Sequence, residues 1–136
     1  MNLPLYLSSS MPVRDADLLF YPEKGSQEIF CNRGVSGIDG NVATAAGIAE
    51  GLQKPLAAVF GDLAALHDLN SFILLEKSEV PIFATLINNQ GGGIFSFLPV
   101  AGEKKELFET FIATSHNHCF SLIAKAFSIP YIKIVS

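Results

Sequence analysis

The sequence has few charges, few cysteines and no long apolar run, and each shortage excludes a class of protein. Only 16% of its residues are charged, and its nine lysines and arginines form no run beyond Lys104-Lys105, so nucleic-acid binding has no electrostatic basis. The two cysteines, Cys31 and Cys119, lack any motif spacing, which favours a reduced protein. No apolar stretch reaches membrane length, and residues 3–7 lack the basic flank of a signal peptide. We therefore expect a cytoplasmic protein with no nucleic-acid or membrane partner.

Apolar residues are abundant, at 49% of a chain of 136 residues. A chain of this length can bury one core without disulfides or metals, so we expect a single domain spanning residues 1–136. A buried parallel sheet explains the low charge, and so does a surface that meets another domain or subunit of a larger enzyme. Both explanations remain open.

Two apolar runs, residues 56–60 and 82–87, predict the centre of the fold. They lack polar alternation, as expected of strands covered on both faces, and the distance between them fits a crossover helix. Further strands are expected at 3–7, 28–31 and 131–135. Helices are expected from Asp39, as N-cap, to about Leu52, from 62 to about 75 as a buried helix that fits a subunit interface, and over 120–127. The pattern predicts an α/β fold with a mostly parallel central sheet.

Polar turns follow the two central runs, at strand ends that meet at one edge of a parallel sheet. Asp62 offers a carboxylate, Asn89 an amide oxygen and the glycine run, including Gly91, a backbone carbonyl. These few hard oxygen ligands suit an octahedral magnesium ion that completes its shell with water and a ligand phosphate. Backbone N–H groups of Leu63 and Ala64, which open the next helix, are natural donors to a diphosphate.

The turns also carry a family resemblance. Gly61-Asp62, with Asn89 following Asp62 by 27 positions, resembles the diphosphate-anchoring motif of thiamine-diphosphate enzymes. The strings GDLAALHDLN (61–70) and NNQGGGIFSFLP (88–99) are similar to one branch, the 2-succinyl-5-enolpyruvyl-6-hydroxy-3-cyclohexene-1-carboxylate synthases of menaquinone biosynthesis. Leu63 stands where the superfamily usually has glycine. The members of this branch also carry leucine there. The resemblance implies a three-layer sandwich, the thiamine-diphosphate-binding diphosphate-domain fold.

The resemblance assigns roles at the cofactor. Ile38 would wedge between the two rings of thiamine diphosphate and hold it bent; without the resemblance, it would be read as the staple of the next helix. Magnesium would be held by Asp62, Asn89 and Gly91. The full set of implied cofactor-binding residues is Gly37, Ile38, Gly61, Asp62, Leu63, Ala64, Asn89, Gly91, Ile94 and Phe95.

The resemblance also implies a substrate site. Ser10 and Arg14 match the family string Gly-Asn-Ser-Met-Pro-Ile-Arg, although Ser9 replaces its asparagine, and Arg33 lies in a string (32–40) that departs from the family only at position 35. A guanidinium fork suits a dicarboxylate substrate. The implied substrate-binding residues are Ser10, Arg14, Arg33, Phe95 and Leu98.

These residues have ordinary alternatives. Spacing alone allows Arg14 to be a surface arginine paired with Asp15 or Asp17, and Arg33 to be a capping charge. Residues 94, 95 and 98 could be plain core. His67 and Asp68 are adjacent in a helix and so do not face one another, which favours a structural role over acid-base work. The string 116–119 places its two histidines on different sides of a helix, so no zinc site is expected.

The resemblance implies a function for a larger assembly. The enzyme would be a transferase, a carboligase that decarboxylates 2-oxoglutarate on thiamine diphosphate and adds the succinyl carbanion to isochorismate. No catalytic residue is expected within this chain, because the activating glutamate of the family lies in the pyrimidine-binding domain of a partner subunit. A homodimer or higher oligomer is expected. Two other interpretations stay open: a different thiamine-diphosphate carboligase or decarboxylase, and a non-catalytic α/β subunit that only dimerises.

Overall fold

A computed structural model describes residues 3–20, 27–102 and 105–135 of the chain. Strands and helices alternate through most of it. In chain order they are β1 (Leu5–Leu7), α1 (Met11–Leu19), β2 (Ile29–Cys31), α2 (Asn41–Leu52), β3 (Leu56–Gly61), α3 (Asp62–His67), a 3-10 turn (Leu69–Ser71), α4 (Phe72–Lys77), β4 (Ile82–Ile87), 3-10 turns at Gly93–Phe97 and Pro99–Gly102, α5 (Lys105–Leu107), a π-helical turn (Phe108–Ile112) and α6 (Phe120–Ala126).

The four strands form one parallel sheet in the order β2-β1-β3-β4. Leu7 pairs with Cys31 on one side and Val59 on the other, and Gly61 pairs with Ile87. The connections β1-α1-β2 and β2-α2-β3 run in opposite directions across the sheet, so right-handed crossovers place α1 and α2 on opposite faces. The α/β fold is confirmed, and its layers are those of a diphosphate-binding domain. Strand order reverses at β1 and β3, whose carboxyl ends flank the crevice where open α/β sheets bind ligands.

The core lies between α2 and the central strands. The helix buries an apolar stripe because Val42, Ala45, Ala46 and Ala49 recur at helical spacing on one face. Small alanines let the helix approach the sheet closely. The main buried cluster consists of Tyr6, Val42, Ala45, Ala49, Leu56, Ala58, Phe60 and Val80.

The start of α2 differs from the prediction. The N-cap residue is Gly40, in the left-handed region with φ of 67°, and no side chain of its own segment caps the helix, so the expected Asp39 cap is wrong. The backbone N–H of Ala43 instead donates to Asp68 Oδ2 at 2.9 Å. Asp68 also accepts a hydrogen bond from the Ser71 hydroxyl through Oδ1. The structural role expected for Asp68 is thereby confirmed as a cap supplied from a distant segment.

The apolar stretch after Asp62 forms two short helices rather than one buried helix. Helix α3 ends before Asp68, whose carboxylate accepts a hydrogen bond from α2. A 3-10 turn and α4 follow. Phe72 and Leu75 pack against the core, whereas Ile73 and Leu74 are 42% and 43% exposed. The break separates residues that a continuous helix would have placed around one axis.

Expectations about two strands differ from the structure. Residues 82–87 form β4, but it is an edge strand, and Phe83 and Ile87 are 59% and 51% exposed; coverage on both faces is therefore wrong for β4. Residues 131–135 form no strand, because no described strand pairs with their backbone. The sequence also predicts a polar loop at 21–27 and an exposed helical piece at 103–110, but positions 21–26 and 103–104 lie outside the described residues. No helix in the described ranges has the length and apolarity needed to span a membrane.

Candidate metal and diphosphate site

Asp62 is a buried carboxylate at the carboxyl end of β3, where α3 begins. The residue is 2% exposed. Its Oδ1 accepts a hydrogen bond from Leu63 N at 2.7 Å, and its Oδ2 accepts one from Gly91 N at 3.0 Å. Among the described residues, no lysine or arginine forms an ion pair with it. A carboxylate removed from water needs positive charge or donors to offset its lost hydration, so Asp62 suits a bound cation.

Asn89 and Gly91 bring two more polar groups to Asp62. One end of the Asn89 amide lies 3.2 Å from Asp62 Oδ2 and 2.8 Å from the Gly91 carbonyl oxygen. If the amide nitrogen is at that end, it donates a hydrogen bond to both oxygens. If the amide oxygen is there, it faces the Asp62 and Gly91 oxygens, and a cation between the three would offset their mutual repulsion. Neighbouring ligands of an octahedral magnesium ion, with bonds of about 2.1 Å, lie about 3 Å apart. The three groups thus have oxygen chemistry and spacing that are compatible with a magnesium ion.

The glycine run makes this close approach possible. Gly91 has φ of 155°, and a Cβ there would lie 2.8 Å from the Ala113 carbonyl oxygen. A Cβ at Gly93 would collide with the Asn89 amide. The turn is also hydrogen bonded to the 113–116 segment, because Gly92 N donates to Ala113 O at 2.6 Å. Side chains at Gly91 or Gly93 would therefore force apart Asp62, Asn89 and Gly91, the group of residues that we call the anchor.

The structure adds a residue that sequence reasoning did not place at the site. His116 Nε2 lies 3.2 Å from Asp62 Oδ2, and the His116 side chain is 7% exposed. From the sequence alone, the string 116–119 suggests only a zinc motif, which its spacing argues against. The described part of the chain contains no group of three or more His, Cys, Asp or Glu side chains that could hold a metal. No spacing signal links His116 to Asp62, because a long irregular segment separates β4 from His116.

Curated relatives carry the same name as the predicted branch, although no protein-family model matches the chain. The 2-succinyl-5-enolpyruvyl-6-hydroxy-3-cyclohexene-1-carboxylate synthase of Chlorobium phaeobacteroides is 49% identical over 129 residues, 93% of this chain and 22% of the relative. The synthase of Chlorobium limicola is 51% identical over 126 residues, which cover 92% of this chain and 21% of the relative. The synthase of Salinibacter ruber is 48% identical over 127 residues, which cover 93% of this chain and 21% of the relative.

This chain is homologous to the C-terminal portion of these synthases. The family resemblance predicted from the two polar strings is thereby confirmed. The chain spans about a fifth of the length of the curated relatives it matches. The activity named for the relatives belongs to proteins several times longer.

Ser9, which follows β1 and stands where the family string has asparagine, is part of a buried hydrogen-bond network. Ser9 is buried, its Oγ donates to Asn32 O at 2.9 Å, and its backbone N–H donates to Asn41 Oδ1 at 3.1 Å. The Tyr6 hydroxyl donates to the same Asn41 oxygen at 2.8 Å. Burial raises the pKa of the Tyr6 hydroxyl, which keeps it a donor. Sequence reasoning missed this network, which joins the loops after β1 and β2.

The predicted substrate residues lie on the same sheet edge but outside the anchor. Ser10, with φ of 82°, is the N-cap residue of α1. Arg14 lies on α1, Arg33 follows β2, and both are exposed. In the described part, neither arginine forms an ion pair, so the pairing of Arg14 with Asp15 or Asp17 is not observed. Their substrate role in a synthase stays a prediction.

The remaining residues that the resemblance implies at the cofactor lie in three other places. Gly37 and Ile38 are half-buried in the loop before α2. Ile94 and Phe95 lie in the 3-10 turn Gly93–Phe97, which Leu98 follows. Phe95 and Leu98 are 38% and 49% exposed, so they are not plain core residues. At the start of α3 the N–H of Leu63 bonds to the side chain of Asp62, next to Gly61 and the buried Ala64.

Proposed function

We propose that this chain is the diphosphate- and magnesium-binding portion of a 2-succinyl-5-enolpyruvyl-6-hydroxy-3-cyclohexene-1-carboxylate synthase. The observation that carries the proposal is the convergence of Asp62 Oδ2, the Asn89 amide and the Gly91 carbonyl at 2.8 and 3.2 Å. The synthase-named relatives support the choice of branch. The complete enzyme would decarboxylate 2-oxoglutarate and transfer the resulting succinyl unit to isochorismate.

In this proposal the chain's residues bind and orient. Asp62, Asn89 and Gly91 would hold Mg2+, which neutralises a diphosphate in a chain of net charge −4. When bound, thiamine diphosphate supplies the carbon nucleophile for the 2-oxo acid. Ile38 would support the bent cofactor, and Arg14 and Arg33 would receive substrate carboxylates by paired hydrogen bonds.

We further propose that the chain is one domain of the enzyme and has no turnover alone. It matches only a fifth of the synthases' length, and the family's activating glutamate lies in another domain. The described surface contains apolar side chains that support contact with such a domain or with a second subunit, as in a homodimer. They include Phe97, Phe111, Ile132 and Ile134.

Calorimetric titration of the chain with thiamine diphosphate, with and without Mg2+, tests the proposal. We expect binding that requires the metal and is abolished in Asp62→Ala, because removing the carboxylate removes the only charged ligand. Asp17→Ala, which changes an exposed aspartate on α1, is the matched control and should bind like the parent chain. Unchanged binding in Asp62→Ala would show that binding of the cofactor does not depend on this carboxylate and would refute the proposed magnesium site. Absence of binding at millimolar cofactor, even with the pyrimidine-binding domain added in trans, would refute the proposal.

A further inference from the structure

The segment 113–116 packs directly against the anchor turn and is held there by backbone hydrogen bonds. Gly92 N donates to Ala113 O at 2.6 Å, and His116 N donates to Gln90 O at 3.2 Å. These bonds attach the segment on both sides of Gly91, whose N–H and carbonyl oxygen face Asp62 and Asn89. His116 is thus fixed to the same turn that supplies the proposed metal ligands.

The His116 ring has a defined orientation. Its Nδ1 accepts a hydrogen bond from His118 N at 3.3 Å, so the neutral ring carries its proton on Nε2. The ring also stacks on His118, with centroids 5.2 Å apart, and meets the Phe120 ring edge-on at 6.1 Å. Packing and the Nδ1 hydrogen bond therefore direct an N–H donor towards Asp62.

That donor is buried and incompletely used. His116 Nε2 lies 3.2 Å from Asp62 Oδ2, yet the direction of its N–H forms no well-aligned hydrogen bond with any described group. Leaving a buried donor without an aligned acceptor is energetically costly. A small rotation of the Asp62 carboxylate, such as accompanies binding of a cation, would offset this cost by completing the hydrogen bond.

We propose that His116 is a positioning residue that orients the Asp62 carboxylate for the metal, an inference that rests on the proposed function. Leu63 N and Gly91 N each bond one carboxylate oxygen. His116 adds a third donor from a separate segment, on the side of Oδ2 that Gly91 N also contacts. Metal-binding carboxylates are oriented by such outer donors in the same way. The oxygen groups, rather than the imidazole, form the ligand set suited to Mg2+.

Three variants separate the donor from the ring. His116→Phe removes the donor and keeps an aromatic ring, His116→Gln keeps an N–H, and His118→Phe changes the exposed neighbour on the same loop. Calorimetry with Mg2+ and thiamine diphosphate should show affinity about 10- to 100-fold lower for His116→Phe. His116→Gln should recover most of the affinity, and His118→Phe should match the parent chain. Parent-like affinity in His116→Phe, or equal loss in both His116 variants, would overturn the proposal.

A metal-free measurement keeps this inference separate from the proposed function. In 1H–15N spectra, His116→Phe should shift the Leu63 and Gly91 amides, which donate to Asp62, and His116→Gln should restore them. Unchanged amides would overturn positioning even if the parent chain binds metal. If the parent chain binds no metal even with the pyrimidine-binding domain added in trans, the proposed function fails, and the amide shifts still decide whether His116 orients Asp62. Nitrogen hyperfine coupling in the Mn2+-loaded chain would make His116 a ligand and would also overturn the proposal.

Discussion

The anchor after β3 and β4 and the predicted substrate side after β1 and β2 share one sheet edge but differ in construction. At the anchor, Asp62 is buried and bonded to Leu63 and Gly91, and His116 lies against it. On the substrate side, Arg33 is exposed and has no described ion-pair partner. A buried charge must be surrounded by donors of its own chain to be stable, whereas an exposed guanidinium can await a ligand in water.

This difference matches the proposed division of labour. In the proposed function, an anchor that carries its own donors would bind Mg2+ and diphosphate within one chain. The arginines would acquire their partners only when substrate and the remaining synthase domains arrive. We therefore expect substitutions at the anchor to be costly in the chain alone and those at the arginines to be nearly silent.

Gly91→Ala should have the largest effect. A Cβ would lie 2.8 Å from Ala113 O at a residue with φ of 155°. Strain and overlap together should lower the free energy of unfolding by about 3–4 kcal/mol, and the displaced carbonyl should abolish Mg2+-dependent cofactor binding. Urea unfolding and calorimetry measure the two effects. Gly102→Ala is the control, since a Cβ there meets nothing within 4 Å. Equal behaviour of the two variants would show that the turn does not need its tight approach.

Asn41→Ala should have the next largest effect, on stability alone. It removes the acceptor of the Tyr6 hydroxyl and the Ser9 N–H, both buried. The free energy of unfolding should fall by about 2–3 kcal/mol, measured by urea unfolding. Cofactor binding by the folded variant should persist, because Asn41 supports the loops after β1 and β2. Asn70→Ala, at an exposed asparagine, should change little. Loss of metal-dependent binding in folded Asn41→Ala would contradict the separation of the two sides.

The sequence predicted the centre of the fold and failed at its margins. The runs 56–60 and 82–87 have similar composition and both form strands, but β3 has neighbours on both sides and β4 on one. Apolar composition predicts a strand without revealing its position in the sheet. Residues 131–135 show the same limit, because a strand needs a partner backbone as well as apolar side chains.

The candidate site was predicted as far as local motifs reach. Asp62, Asn89 and Gly91 were predictable because they lie where β3 and β4 end, and parallel strands bring such ends together. His116 and Asn41 were missed because their contacts depend on irregular connections. Asp68 shows the same point: its position next to His67 in the chain favoured a structural role, but only the tertiary structure identifies Ala43 N as its partner.

Arg14→Ala and Arg33→Ala should have the smallest effect. Both side chains are exposed and neither forms a described ion pair, so the free energy of unfolding should stay within about 0.5 kcal/mol of the parent value. Mg2+-dependent binding of thiamine diphosphate should also be unchanged, because the anchor contains neither arginine. Arg14→Lys, which keeps the charge and loses the fork, separates a surface ion pair from carboxylate recognition once the remaining domains are supplied. A marked loss of stability in Arg14→Ala that Arg14→Lys restores would mean that Arg14 pairs with Asp15 or Asp17 and would remove it from the substrate site.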